Sequence, residues 1–358
     1  MRVSRLMAVV CLWAAVLSFG GFSCDGVNFD LGDIGGILDG NGNADGNANA
    51  NDNGGDGGGD IANVELTVVA GNTGGASGMA FNPVDGGLYV VNEDGLFGPV
   101  ADGADVSTMA PIGATNLEAT DFFAESASSL VLAITNDGEF WIGSPCCGTL
   151  AVVPPEGGDA QQFLGLIQGN PPANIFPETM VIAPANVNLP GVSAGDLLVS
   201  AETSFSKLAA IDVAGDRAVT QVDNPSLTNR QGHHIAFGPD GTLYNSRGGA
   251  GATILGIQRV AADGSPSGLA GTLNLAAESF VVLDNGDLVL RGSFAAAGSP
   301  TVVGVLLYSA ADESVTPGVA IPGDRVSEDD EMLIAPDGRI LMSVPAGNEI
   351  VVVTDVRE

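Results

Sequence analysis

Histidine occurs at two positions only, His233 and His234, and beyond residue 24 the chain holds a single cysteine pair, Cys146 and Cys147. An imidazole is the usual general base or metal ligand near neutral pH. The two histidines are adjacent, and neighbouring residues of a strand point to opposite faces, so at most one of them can face a common site. With both in one segment a Ser-His-Asp triad has no second support. The chain also lacks a G-x-S-x-G elbow, an H-E-x-x-H helix and a phosphate-binding loop. Adjacent cysteines cannot staple a loop. In an oxidising compartment Cys146 and Cys147 could form a vicinal disulfide; otherwise they are two packed thiols or ligands of a soft metal, although no further zinc ligands cluster nearby. Basic groups are scarce. Arg247, followed by Gly248 and Gly249, and Arg291, followed by Gly292, read as loop turns that could also touch an anionic ligand.

The elements that must position these residues repeat along the chain. Residues 233–244 read HHIAFGPDGTLY, residues 78–89 GMAFNPVDGGLY, residues 331–341 EMLIAPDGRIL and residues 278–290 ESFVVLDNGDLVL. A copy without proline spans residues 130–142, and a copy with an insertion spans 178–200. Each is an apolar run, a turn on Asp-Gly or Asn-Gly, and a second apolar run, which is the pattern of an antiparallel hairpin. The turn glycines are placed at Gly87, Gly138, Gly195, Gly241, Gly286 and Gly338, a spacing of 45 to 57 residues. Strand-rich units at such a period predict an all-β, six-bladed β-propeller over residues 61–358, one blade per repeat. Further strand-like runs at 208–213, 253–260, 301–308 and 350–354 supply third strands. The run 64–70 precedes the first complete repeat and is expected to close the ring against the last blade, since it would otherwise be unpaired.

Composition narrows the function classes. The formal net charge is −32, from 11 Lys+Arg against 43 Asp+Glu, with Lys207 the sole lysine. Such a surface repels phosphate backbones, which argues against nucleic acid as a partner. Residues 1–23 read as a signal peptide: Arg2 and Arg5, an apolar stretch over 6–17 too short to span a membrane, then small residues before Cys24. Cys24 stands where a bacterial lipoprotein is lipidated, although Gly21 and Phe22 depart from that pattern. Residues 24–60 are a low-complexity Gly/Asn/Asp tether that cannot bury a core and is expected to be disordered. It lacks the terminal Glu of an EF-hand loop. The expected location is extracytoplasmic, as an envelope lipoprotein or a secreted protein, with the lipid anchor as the one membrane contact.

The inner-strand pattern G-x-A-F-x-P-x-x-G-x-L-Y at 78–89, matched by H-I-A-F-G-P-D-G-T-L-Y at 234–244, resembles the NHL and SMP-30/gluconolactonase-like superfamily of six-bladed propellers across residues 61–358. In the enzymatic members, residues just before the inner strands hold a divalent metal, usually through a Glu, two Asn and an Asp. The equivalent places here are Ser77, Leu130, Glu178, His233, Glu278 and Asp330. The resemblance therefore implies a metal set of Glu178, His233, Glu278 and Asp330, flanked by His234, Glu331 and Arg230, with Ca²⁺ or Mn²⁺ suited to so many oxygens. The two Asn places are not matched. The expectation is a monomeric binding module for a small ligand or an envelope protein. The alternative is a metal-dependent, lactonase-like hydrolase.

Overall fold

Each repeat closes its hairpin with a glycine held at positive φ. In the computed structural model, Gly138, Gly241, Gly286 and Gly338 have φ of 91°, 78°, 85° and 89°. The loop of the last blade shows why. The Ala335 N–H donates to the Arg339 carbonyl (2.7 Å) and the Gly338 N–H returns to the Ala335 carbonyl (2.8 Å). This three-residue loop needs one left-handed residue, and glycine supplies it without a Cβ clash. The first copy differs from the sequence reading: Gly86 (φ 71°) takes that role and not Gly87, because Val84 lengthens the loop by one residue. In the third copy the insertion leaves and rejoins at the same closing pair, with the Gly195 N–H on the Ala183 carbonyl at 2.9 Å.

The structure describes residues 64–117, 130–144, 150–163, 166–167, 173–174, 177–201, 207–222, 234–246, 257–263, 265–269, 274–295, 302–321 and 331–355. All of them fall within one unit, Gly58–Glu358. The leader, the tether, Cys24, Cys146, Cys147, Arg230, His233, Arg247 and Asp330 lie outside the described residues.

Six antiparallel sheets form the blades of a six-bladed propeller. Blade 1 is Gly78–Phe81, Leu88–Asn92 and Gly95–Val100. Blade 2 is Val131–Ile134, Phe140–Gly143, Leu150–Val153 and Gln161–Phe163. Blade 3 is Pro177–Ile182, Leu197–Ala201, Lys207–Ile211 and Val219–Val222. Blade 4 is Ile235–Phe237, Leu243–Ser246, Ile257–Val260 and Pro266–Gly268. Blade 5 is Asn274–Val282, Leu288–Ala295, Val302–Ser309 and Ser314–Ala320. Blade 6 is Met332–Ile334, Ile340–Val344 and Glu349–Asp355, and its fourth strand is the N-terminal run Val64–Gly71. That run pairs antiparallel with Glu349–Asp355, from Val64 opposite Asp355 to Gly71 opposite Glu349. The ring thus closes as the early run implied.

The core is divided among the blade boundaries. Leu132, Ile142 and Val91 pack between blades 1 and 2, Trp141, Met180 and Val199 between 2 and 3, and Leu198, Ile235 and Leu243 between 3 and 4. Tyr244, Phe280 and Leu290 fill the next boundary, Val289, Met332 and Met342 the one after it, and Met79, Val90 and Ile350 the closing one. Both faces of each sheet are covered by neighbours, so the strands read as apolar runs and do not alternate. At the rim, Arg217 lies 5.5 Å from the Trp141 ring centroid and ion-pairs with Glu139, which also accepts the Trp141 indole N–H at 2.9 Å. Among the described residues no helix is long and apolar enough to cross a membrane.

Candidate functional site

Where the inner strands begin, the blades contribute equivalent residues to one ring. Strand register defines it: Gly78 lies opposite Val91, Val131 opposite Gly143, Thr179 opposite Ser200 and Ser279 opposite Arg291. His234 and Glu331 complete the ring. The Ser246 N–H donates to the His234 carbonyl and the Ser343 N–H to the Glu331 carbonyl, both at 2.9 Å. The inner ladder ends here, and a serine of the second strand takes over. Ser200 Oγ accepts the Thr179 N–H (3.0 Å), Ser246 Oγ the His234 N–H (3.0 Å) and Ser343 Oγ the Glu331 N–H (2.8 Å). Three blades thus satisfy the same strand-end donor in the same way.

The ring side chains reach to the next blade. His234 Nε2 is 3.0 Å from the Phe280 carbonyl in blade 5, and its Nδ1 lies 3.4 Å from Thr179 Oγ1 of blade 3. A carbonyl can only accept, so Nε2 carries the proton and Nδ1 is the acceptor. Glu331 Oε2 accepts the Met79 N–H of blade 1 at 2.9 Å. These two reaches are equivalent, because Phe280 and Met79 each sit one residue past the ring position, where backbone groups turn away from the second strand. One position earlier, Ser77 Oγ donates to the Leu130 carbonyl at 2.8 Å. Gly78 has no side chain to offer, and the space explains why: a Cβ there would stand 2.6 Å from the Leu130 oxygen.

Burial sets the protonation of the two ionisable members. His234 is 6% exposed, and desolvation pulls its pKa down to about 4 against the opposing pull of the Phe280 carbonyl. Glu331 is partly accessible as a residue, but its carboxyl group is enclosed. Burial pushes its pKa up to about 8, with the Met79 N–H working in the other direction. At pH 7 the ring holds a neutral imidazole and a protonated carboxyl group.

The sequence reading assigned Arg291 to a loop turn. It lies instead within the strand Leu288–Ala295, is 0% exposed and faces the blade 5–6 boundary beside Ser279. Apolar flanks on both sides, VL before it and GSF after it, make this a strand; only the Arg-Gly pair suggested a turn.

Of the residues expected to hold a metal, Glu178 is half-buried and Glu278 is described through its backbone. Both stand at register shifts, Glu178 between Pro177 and Thr179 and Glu278 between Ala277 and Ser279. Each therefore precedes a ring residue by one place at an equivalent bulge. His233 and Asp330 lie outside the described residues. Among the described residues no group of three or more His, Cys, Asp or Glu is close enough to hold a metal ion. The residues that meet across blades are their immediate successors, Thr179, His234 and Glu331. Two of those were named only as flanking groups, and the signal that could have found them was strand alternation itself.

No protein-family model matches the chain, and no curated protein matches its sequence. Solved structures do match. A member of carbohydrate-active enzyme family AA12 from Trichoderma reesei is similar with a TM-score of 0.52 at 11% identity, over 82% of this chain and 97% of that one. A protein described as a gluconolactonase gives 0.50 at 14% identity, over 82% and 92%. The extracellular domain of a one-component system from B. thetaiotaomicron gives 0.46 at 11% identity, over 77% of this chain and 32% of that one. The neighbours of this propeller thus include both enzymes and an extracellular domain, and at these identities the likeness concerns the fold alone.

Proposed function

We propose that the chain is an exported, lipid-anchored propeller that works as a ligand- or protein-binding module of a bacterial envelope. One observation carries this reading. The polar side chains of the ring are engaged in joining blades: His234 spans Thr179 and the Phe280 carbonyl, and Glu331 holds the Met79 N–H. A neutral imidazole with both nitrogens in contact, and a carboxyl group buried against a strand edge, serve closure of the ring better than turnover. The leader of residues 1–23, Cys24 and the acidic tether support export and anchoring. Mass spectrometry of the mature N-terminus tests that part: a lipidated Cys24 is expected, and an unmodified N-terminus further along would remove the anchor while leaving export.

The second reading is a metal-dependent hydrolase of lactone-like substrates, with Glu178, His233, Glu278 and Asp330 as ligands of Ca²⁺ or Mn²⁺. The equivalent bulges at Glu178 and Glu278 favour it, since a bulge re-aims a side chain and is a common device beside active sites. Calorimetric titration with Ca²⁺, Mn²⁺ and Zn²⁺ decides between the two. The binding-module reading expects no uptake. Uptake by the wild type that disappears in a Glu178→Gln, Glu278→Gln variant would replace it with the metal site.

A further inference from the structure

The opposite mouth of the channel, where the inner strands run into their hairpin turns, has a different character. Among blades 1–3 it opens into a cavity of about 410 Å³ whose wall includes Phe81, Pro83, Ile134, Ile182 and Pro184, with Asn136 the one lining residue that has a polar side chain. Phe81, Ile134 and Ile182 occupy the same register place at the ends of three successive inner strands. The rim is anionic. Asp85, Asp137 and Asp196 each follow a lining residue by one or two places, in the same three turns. No lysine or arginine occurs in residues 82–87, 135–139 or 183–196.

We propose that this mouth binds small organic ammonium cations bearing an apolar tail. The volume is of molecular size, within the roughly 300–1,000 Å³ typical of ligand pockets. It is also concave, whereas a protein partner needs on the order of 800 Å² of matching surface on each side. The wall takes the tail, because burying a methylene is worth about 0.8 kcal/mol and most of the lining is apolar. The rim selects the head. Asp85 accepts the Gly87 N–H (2.8 Å) and the Tyr89 hydroxyl (2.7 Å), Asp137 the Thr135 hydroxyl, and Asp196 the Ser193 N–H (2.8 Å). Those bonds fix the carboxylates in place without neutralising them. Asp196 is also partly buried, which pushes its pKa up, as expected of an anion short of countercharge. An anionic ligand would meet this rim and the chain's net charge of −32. A bare metal ion would find an apolar wall.

This site is independent of the ring at the strand starts, and its failure would leave the reading of that ring untouched. The test is calorimetric titration of the full chain with octylammonium, octanol and octanoate, which share a tail and differ in head charge. Octylammonium is expected to bind at least tenfold more tightly than octanol, with octanoate silent. Ala194→Trp, which fills the cavity from an accessible position, is expected to abolish both interactions. The shape-conserving pair Asp137→Asn and Asp196→Asn is expected to keep octanol binding and to remove most of the preference for the cation. Equal affinities for the three ligands, no octylammonium binding at millimolar concentration, or affinities unchanged in either variant would overturn the proposal.

Discussion

The two ends of the channel solve different problems. At the strand starts the inner ladders run out, leaving backbone groups of each blade to be satisfied from the side, and side chains of the preceding blade do it: His234 for the Phe280 carbonyl and Glu331 for the Met79 N–H. At the turn end each hairpin is self-sufficient. Its glycine N–H and its Asp or Asn side chain close the loop, as when Asp240 accepts the Thr242 N–H at 3.0 Å, so nothing polar is needed between blades and Phe81, Ile134 and Ile182 can line the opening. A buried polar group on a propeller axis is therefore first a question about where the backbone hydrogen bonds go. The groups that remain after that accounting are the ones available to a ligand.

The largest expected effect lies in Glu331. Its folded pKa of about 8 stands above the ordinary value of 4.5, so the stability associated with the protonated carboxyl is complete below pH 4.5. That stability is lost as pH rises to about 8, because the unfolded chain releases the proton first. Glu331→Gln retains an acceptor for the Met79 N–H and cannot ionise. Relative to wild type its stability should rise by roughly 3–5 kcal/mol between pH 4.5 and 8, read from urea denaturation at each pH. A difference independent of pH would mean that the carboxyl group is solvated and the ring open.

His234 has the opposite sign. Its pKa is depressed from 6.5 to about 4, so its contribution is whole above pH 6.5 and is lost as pH falls toward 4, by roughly 3 kcal/mol. His234→Gln should cost about 2 kcal/mol at pH 7 through the Phe280 carbonyl and the lost packing, and should flatten the acid limb. If the acid limb survived in that variant, the carboxylates would be its source.

Glycine substitutions compare the two ends directly. Gly78→Ala puts a Cβ 2.6 Å from the Leu130 oxygen and 3.0 Å from the Leu132 nitrogen, and backbone cannot step aside as a side-chain tip can. A loss of about 2–3 kcal/mol is expected. Gly338→Ala meets nothing within 4 Å but must hold φ near 89°, which costs about 1 kcal/mol in conformational strain. Equal losses in thermal denaturation would show that the boundary between blades 1 and 2 yields as readily as a turn.

The sequence by itself determined the fold. Asp-Gly and Asn-Gly spacing is a local property, because a left-handed turn residue between two apolar runs has few structural alternatives. Counting such turns therefore counted blades, including the irregular copy at residues 130–142, and left the unpaired run 64–70 to close the ring. Local pattern was weaker where it competed with neighbours: Gly86 displaced Gly87 through one extra loop residue, and Arg291 sat inside a strand where Arg-Gly suggested a turn. Only the tertiary structure decided which polar residues meet. Thr179, His234 and Glu331 are joined by the contact of one blade with the next, and the sequence carries no record of which strand-start residue will face a neighbour's unsatisfied backbone. A shift of one place in register reverses the face of every side chain, and the bulges at Glu178 and Glu278 are shifts of that kind. They arise from packing against blades whose positions are set by the closed ring.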